Sequence, residues 1–187
     1  MPIRQNDAYA GIGSRETPPE ILELMKQLAQ HFTAAGLTLR SGGASGADSA
    51  FEFGVDLGKG PKEIFLPWKG FNSNPSLLFN IPDRAFDIAE EHHPAWVRCK
   101  EPARKLHARN AQQILGQNLD SPSKFVICWT PDGAEKSTSS KTGGTGQAIR
   151  IANAYNVPVF NLYNEGRYGD VLSFIEDKML QYSDYFD

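Results

Sequence analysis

The chain has 187 residues, a size that suits one domain over 1–187 and is long enough to bury a core. Hydrophobic residues make up 40% and charged residues 22%, which excludes a disordered, fully solvated polymer. The net charge of −3 argues against broad nonspecific binding to nucleic acid and leaves room for a local basic groove.

Tyr9 to Ile12 reads as a first strand, ending in the turn Gly13-Ser14-Arg15. Thr17-Pro18-Pro19-Glu20 has the form of a helix start, with Thr17 as cap, Pro18 at the first helical position and Glu20 completing a capping box. Ile21, Leu24, Met25, Leu28 and Phe32 recur at helical spacing, and Gly36 supplies the stop. Leu37 to Arg40 is the second strand. It runs into Ser41-Gly42-Gly43-Ala44-Ser45-Gly46-Ala47-Asp48, and a helix follows over Ala47 to Leu57. Lys62 to Leu66 is the third strand, closed by Pro67-Trp68.

Lys69 to Pro82 is rich in Asn, Pro, Ser and Gly and is expected to be a long surface loop of the kind that forms lids. Asp83 to Glu91 is a short helix ended by His92-His93-Pro94. Adjacent histidines point in different directions on a helix, and no acidic or cysteine partner has ligand spacing, so no metal site is expected. Pro102 to Leu119 reads as a longer helix with Ala103, Leu106, Ala111, Ile114 and Leu115 inward and Arg104, Arg109 and Asn110 exposed. Ser123 to Trp129 is an apolar strand suited to the centre of a parallel sheet. Its Cys128 is expected to be a buried thiol. Cys99 and Cys128 form neither a disulfide framework nor a metal pattern, which fits a reducing cytoplasm.

Pro131 to Lys141 is polar and expected to be mobile. Thr142-Gly143-Gly144-Thr145-Gly146-Gln147 then opens a helix that packs through Ala148, Ile149, Ile151, Ala152 and Ala154. Val157 to Leu162 is the last strand. Asp170 to Gln181 is a closing amphipathic helix through Val171, Leu172, Phe174, Ile175 and Leu180. No apolar run approaches a membrane span, and the N-terminus lacks a secretory pattern.

Strands alternating with helices predict an α/β fold with a parallel sheet and right-handed crossovers, in the order 3-2-1-4-5. That order puts a switch point between the first and fourth strands, where ligands bind outside the carboxyl ends. Three glycine-rich turns meet there. Glycine lets the backbone approach a ligand, and the unpaired N–H groups and dipole of a helix start favour an anion.

The turns Gly13-Ser14-Arg15 and Ser41 to Asp48, then Arg109-Asn110, then Gly143-Gly144-Thr145-Gly146-Gln147 resemble the SLOG superfamily over about Tyr9 to Leu162. That group includes the DNA-processing protein DprA (Smf), the LOG-type nucleotide phosphoribohydrolases and molybdenum-cofactor carriers. The spacing looks closest to a stand-alone DprA-like Rossmann domain of the kind found in phage and bacterial genomes. The resemblance implies a Rossmann-like three-layer α/β/α fold on a mainly parallel sheet of about five or more strands. It departs from the patterns of both groups. Glu52 stands where DprA carries a histidine, Thr142 replaces the proline of the LOG motif, and Gln147 follows Gly144-Thr145-Gly146.

The expected ligand contacts follow from these positions. Arg15 would bind a phosphate or carboxylate, with Ser14 donating to the same anion. The Ser41, Gly42, Gly43, Ala44 and Gly46 turn would cradle it. Gly143, Gly144, Thr145 and Gln147 would hold a phosphate at a helix start. Thr130 sits at the end of the fourth strand. Trp68 either stacks on a base or plugs the core. Arg109 and Asn110 enter as ligands through the family match. Asp48 is either stabilised by its own helix dipole or contacts a ribose hydroxyl or substrate amine. Asp48 and Glu52, one turn apart, are the candidate catalytic pair.

The leading expectation is a protein that binds a nucleotide or nucleotide-derived ligand at the glycine-rich edge, with a signalling-nucleotide sensor or sponge as one form. One alternative is an enzyme that hydrolyses the N-glycosidic bond of nucleoside monophosphates. Another is DprA-like binding of single-stranded DNA, with Arg15, Lys69, Arg104, Lys105 and Arg109 as the candidate basic groove. No cofactor is required, no membrane partner is expected, and the resemblance implies a homo-oligomer.

Overall fold

The structure, a computed structural model, describes residues 2–183, with side chains described through residue 179. The packing expected of Leu180 lies outside that range. Five strands form one sheet in the order β3-β2-β1-β4-β5, all neighbours parallel. They are β1 (Ala8–Gly11), β2 (Thr38–Ser41), β3 (Lys62–Ile64), β4 (Val126–Cys128) and β5 (Val159–Asn161). The helices are α1 (Pro19–Ala34), α2 (Ala47–Leu57), α3 (Asp83–His92), α4 (Glu101–Leu115), α5 (Thr145–Ala154) and α6 (Arg167–Ser183). No described helix is long and apolar enough to cross a membrane.

The alternation of side chains along each strand divides the core into two layers. Tyr9 and Ile127 enter one layer, with Phe32 of α1, Phe51 of α2 and Ile175 of α6. Ala10, Val126 and Cys128 enter the other, with Ile88 of α3, Ile114 of α4 and Ile149 of α5. Cys128 is fully buried, as its apolar run implied. This is the expected three-layer α/β/α arrangement, with β1 at the centre and the switch point between β1 and β4.

The helix ends differ from expectation in two places. Pro18 is the residue before α1, not the first one in it, because Pro19 restricts it to an extended conformation (ψ 149°). The Thr17 hydroxyl then donates to the Ser14 carbonyl (2.7 Å) and caps nothing. At the other end Leu37 N–H reaches Phe32 O (2.9 Å) and Gly36 N–H reaches Thr33 O (3.0 Å), the double bond that a left-handed glycine permits. Helix α4 stops at Leu115, because Gly116 (φ 82°) turns the chain before Leu119.

Two segments expected to be free loops are tied down. Segment 69–82 contains a helical turn, Phe71–Ser73. Asn72 donates to Gly43 O (3.0 Å), and Ser76 Oγ donates to Ile64 O (2.6 Å). In segment 131–141, Asp132 accepts from Ser139 Oγ (2.8 Å) and Thr142 Oγ1 (2.6 Å). Glu135 in the same segment pairs with Arg167 of α6 at 2.6 Å. The polar residues that marked these stretches as loops are the ones that anchor them.

Candidate functional site

A cleft of about 430 Å3 opens at the carboxyl ends of β1 and β4. One wall is the turn after β1, Gly13 to Glu16, with Ala44 and Asp48 beside it. Lys141 to Thr145, leading into α5, also line the cleft. Ala103, Leu106, His107, Arg109, Asn110 and Gln113 of α4 line it too.

The first two glycine-rich turns pack against each other. A Cβ on Gly13 would lie 2.8 Å from Ala47 Cβ, and one on Gly46 (φ 84°) would lie 2.9 Å from Ser14 O. Gly42 is equally confined, because the Arg109 guanidinium lies against it. The third turn differs. Around Gly143 (φ 67°) and Gly144 an added Cβ would meet nothing within 4 Å. Backbone there is open to a ligand.

The two helix starts at the cleft also differ in charge. Asp48 lies in the first turn of α2 and is buried. It accepts from Ala44 N–H at 3.2 Å and so supplies its own helix with an anion. Burial pushes its carboxyl up to about 6, against the opposing pull of Arg109. Helix α5 has no acidic residue in its first turn. Its first paired N–H groups are those of Gly146, to Gly143 O at 3.1 Å, and Gln147, to Gly144 O at 3.3 Å. Asn110 Nδ2 donates to Gly144 O at 3.3 Å and steadies that turn. Arg15 and Lys141 are exposed in the cleft lining, and neither forms an ion pair among the described residues.

Arg109 and Asn110 were expected on the exposed face of their helix; they are only 6% and 8% exposed. The second half of α4 runs between the sheet edge and its neighbours α3 and α5, so every residue from Ala108 to Leu115 is buried. Arg109 Nη1 donates to the carbonyls of Gly42 and Phe65 (3.3 Å for the latter) and lies 3.9 Å from Asp48 Oδ2. This makes Arg109 a brace under the glycine-rich turn.

Ten of the expected site residues line the cleft: Gly13, Ser14, Arg15, Ala44, Asp48, Arg109, Asn110, Gly143, Gly144 and Thr145. The others lie apart from that lining. Ser41 Oγ donates to Gly11 O at 2.6 Å, tying β2 to β1. Gly43 bonds through its carbonyl to Asn72. Trp68 is 40% exposed and meets Phe71 edge-on, with ring centres 5.2 Å apart. Thr130 Oγ1 accepts from Asn161 Nδ2 at 2.7 Å. Gln147 Nε2 donates to Ala89 O at 2.8 Å, and its Oε1 accepts from Arg150 at 2.8 Å. Glu52 pairs with Lys62 at 2.9 Å and accepts from Asn74 at 2.9 Å, so it does not join Asp48 in the cleft.

His107, Gln113 and Lys141 line the cleft and were not singled out in the sequence. Helical spacing could have found the first two, because positions 103, 106, 107, 110 and 113 share one face of α4. Burial lowers the His107 pKa to about 4, with further lowering by His93, Arg150 and Arg109.

No protein-family model and no curated protein matches the chain. Solved structures do. DNA processing protein A from Helicobacter pylori, in a structure describing its single-stranded DNA binding mode, is 19% identical, with 96% of this chain and 81% of that one covered and a TM-score of 0.54. DNA processing protein A (DprA) from Streptococcus pneumoniae is 17% identical, with 90% of this chain and 56% of that one covered and a TM-score of 0.49. The likeness to the Helicobacter protein is one of fold: this chain has a DprA-like, Rossmann-like α/β architecture.

Proposed function

We propose that the cleft binds nucleotide phosphates of single-stranded DNA. The observation that carries this reading is the start of α5. Its backbone is unobstructed at Gly143 and Gly144, its first turn holds no acid, and Arg15 and Lys141 both line the cleft. A helix start with open N–H groups takes a phosphate, and two separate cations suit a chain that passes through an open cleft. The Helicobacter protein whose structure was described for single-stranded DNA binding has the same fold. The net charge of −3 restricts binding to this local site and disfavours coating of the whole surface by nucleic acid.

A free nucleotide or nucleotide-derived ligand is the second reading. Its support is the cleft volume of about 430 Å3, which falls in the range of roughly 300–1,000 Å3 for small-ligand pockets. Hydrolysis of an N-glycosidic bond has less support, because Glu52 is engaged by Lys62 and Asn74 and does not line the cleft with Asp48. Fluorescence anisotropy with a labelled oligothymidylate, competed with single nucleoside phosphates, separates the readings. Tight oligonucleotide binding that mononucleotides do not displace supports DNA. Displacement by a mononucleotide at comparable concentration supports the small ligand.

A further inference from the structure

We infer that His93, Cys99 and His107 form a binding site for a borderline-soft divalent cation, zinc above all. Their ligand-capable atoms all lie within 4.8 Å of one another. Cys99 Sγ is 3.8 Å from Nε2 and 3.9 Å from Nδ1 of His93. The rings of His93 and His107 have centroids 4.4 Å apart. Tetrahedral zinc with bonds of about 2.0–2.3 Å needs ligand–ligand edges of roughly 3.3–3.7 Å. The Cys99–His93 edge is already close to that, and rotation of partly buried side chains closes the rest.

The chain path explains why spacing alone hid the cluster. His93 follows the last residue of α3, and Cys99 follows the helical turn Trp96–Arg98. This short connection folds back on α4 and places both residues beside His107. The neighbouring His92 is not a member of the cluster, as expected for adjacent residues at a helix end.

The ligand atoms are suited to a metal. His93 Nδ1 accepts from Ala95 N–H at 3.1 Å, so a cation taken by Nδ1 displaces that hydrogen bond. His107 Nδ1 is buried with no hydrogen-bond partner. Arg150 adds positive potential, but its guanidinium is engaged by His92 O (2.7 Å), Thr138 Oγ1 (2.8 Å) and Gln147 Oε1 (2.8 Å). Binding replaces the Cys99 thiol proton by the metal and releases that proton to solvent, with no change of oxidation state. The thiolate offsets one of the two incoming charges. Three protein ligands leave the fourth position to water. His107 also lines the cleft, so the metal would stand beside the proposed phosphate site, although the inference does not rest on DNA binding.

Cobalt(II) titration of the reduced full chain tests the site without any nucleic acid. One equivalent is expected to bind, with a near-ultraviolet thiolate-to-cobalt band that zinc displaces. Cys99→Ser should abolish the band and weaken binding by about tenfold or more, and His107→Ala should weaken it similarly. His92→Ala should leave affinity and band unchanged. Absence of a thiolate band in the wild type, or unchanged affinity in Cys99→Ser, would overturn the inference. Cys99→Ser is close in shape and only partly buried, so it decides the matter even if His107→Ala does not fold.

Discussion

Asp48 Oδ2 lies 3.9 Å from Nη1 of Arg109, and both side chains are buried under the glycine-rich turn between β2 and α2. Arg109 holds the Gly42 and Phe65 carbonyls from below, while Asp48 holds Ala44 N–H from the helix side. The two side chains pair backbone groups that would otherwise stay unpaired at the cleft floor.

That arrangement has a pH signature. Burial raises the Asp48 carboxyl from the ordinary carboxylate range to about 6, despite Arg109. A raised acid pKa means that the folded state holds the proton more tightly than the unfolded chain. The contribution of Asp48 is therefore fully present below about pH 4 and is lost as pH rises through about 6. Asp48→Asn removes this titration. Its Tm, measured against wild type from pH 4 to 7, should improve relative to wild type as pH rises. A difference independent of pH would show that Asp48 does not titrate there.

Removal of the Arg109 guanidinium should cost far more than loss of a surface charge. Arg109→Met leaves Asp48 and two carbonyls without their partner, a loss on the order of 3–5 kcal/mol in urea denaturation. A loss below about 1 kcal/mol would place Arg109 among exposed, weakly coupled charges.

The two glycine pairs are expected to respond in opposite ways. Gly144 has helical backbone (φ −62°) and open space around it, so Gly144→Ala should fold with unchanged or slightly higher stability, by up to about 1 kcal/mol. The same change should weaken phosphate binding, because the methyl group enters the approach path. Gly43 has φ 66°, and its Cβ would lie 2.8 Å from Leu66 Cδ2. Gly43→Ala should therefore lose roughly 1–3 kcal/mol of stability. Denaturation and anisotropy measured on both variants check the contrast.

Glu52→Gln should leave ligand affinity unchanged and cost at most about 1 kcal/mol, the worth of a partly exposed ion pair with Lys62. Reduced affinity in this variant would bring Glu52 into the cleft chemistry.

Much of the architecture could be read before the structure. Apolar runs alternating with helical periodicity were enough to locate the strands and make the sheet parallel, and Gly46 and Gly58 bracket α2 where the pattern placed it. The site was less legible, for physical reasons. Apolar periodicity assigns a face by counting hydrophobic residues, so it cannot see that α4 is buried at its polar positions Arg109 and Asn110. Gly42-Gly43 and Gly143-Gly144 look alike as sequence and differ only in whether a Cβ would have room. The meeting of His93, Cys99 and His107 depends on a connection folding back on a helix, which no spacing rule encodes.

The central claim is that phosphate binding draws on Arg15 and Lys141 at the open start of α5. Its most direct test is a salt titration of oligothymidylate binding to wild type, Arg15→Ala and Lys141→Ala. Both positions are exposed, so stability should stay within about 0.5 kcal/mol of wild type. Each variant is expected to bind more weakly and to lower the slope of log K against log salt by about 1. Wild-type affinity and slope in both variants, with the fold intact, would contradict the claim.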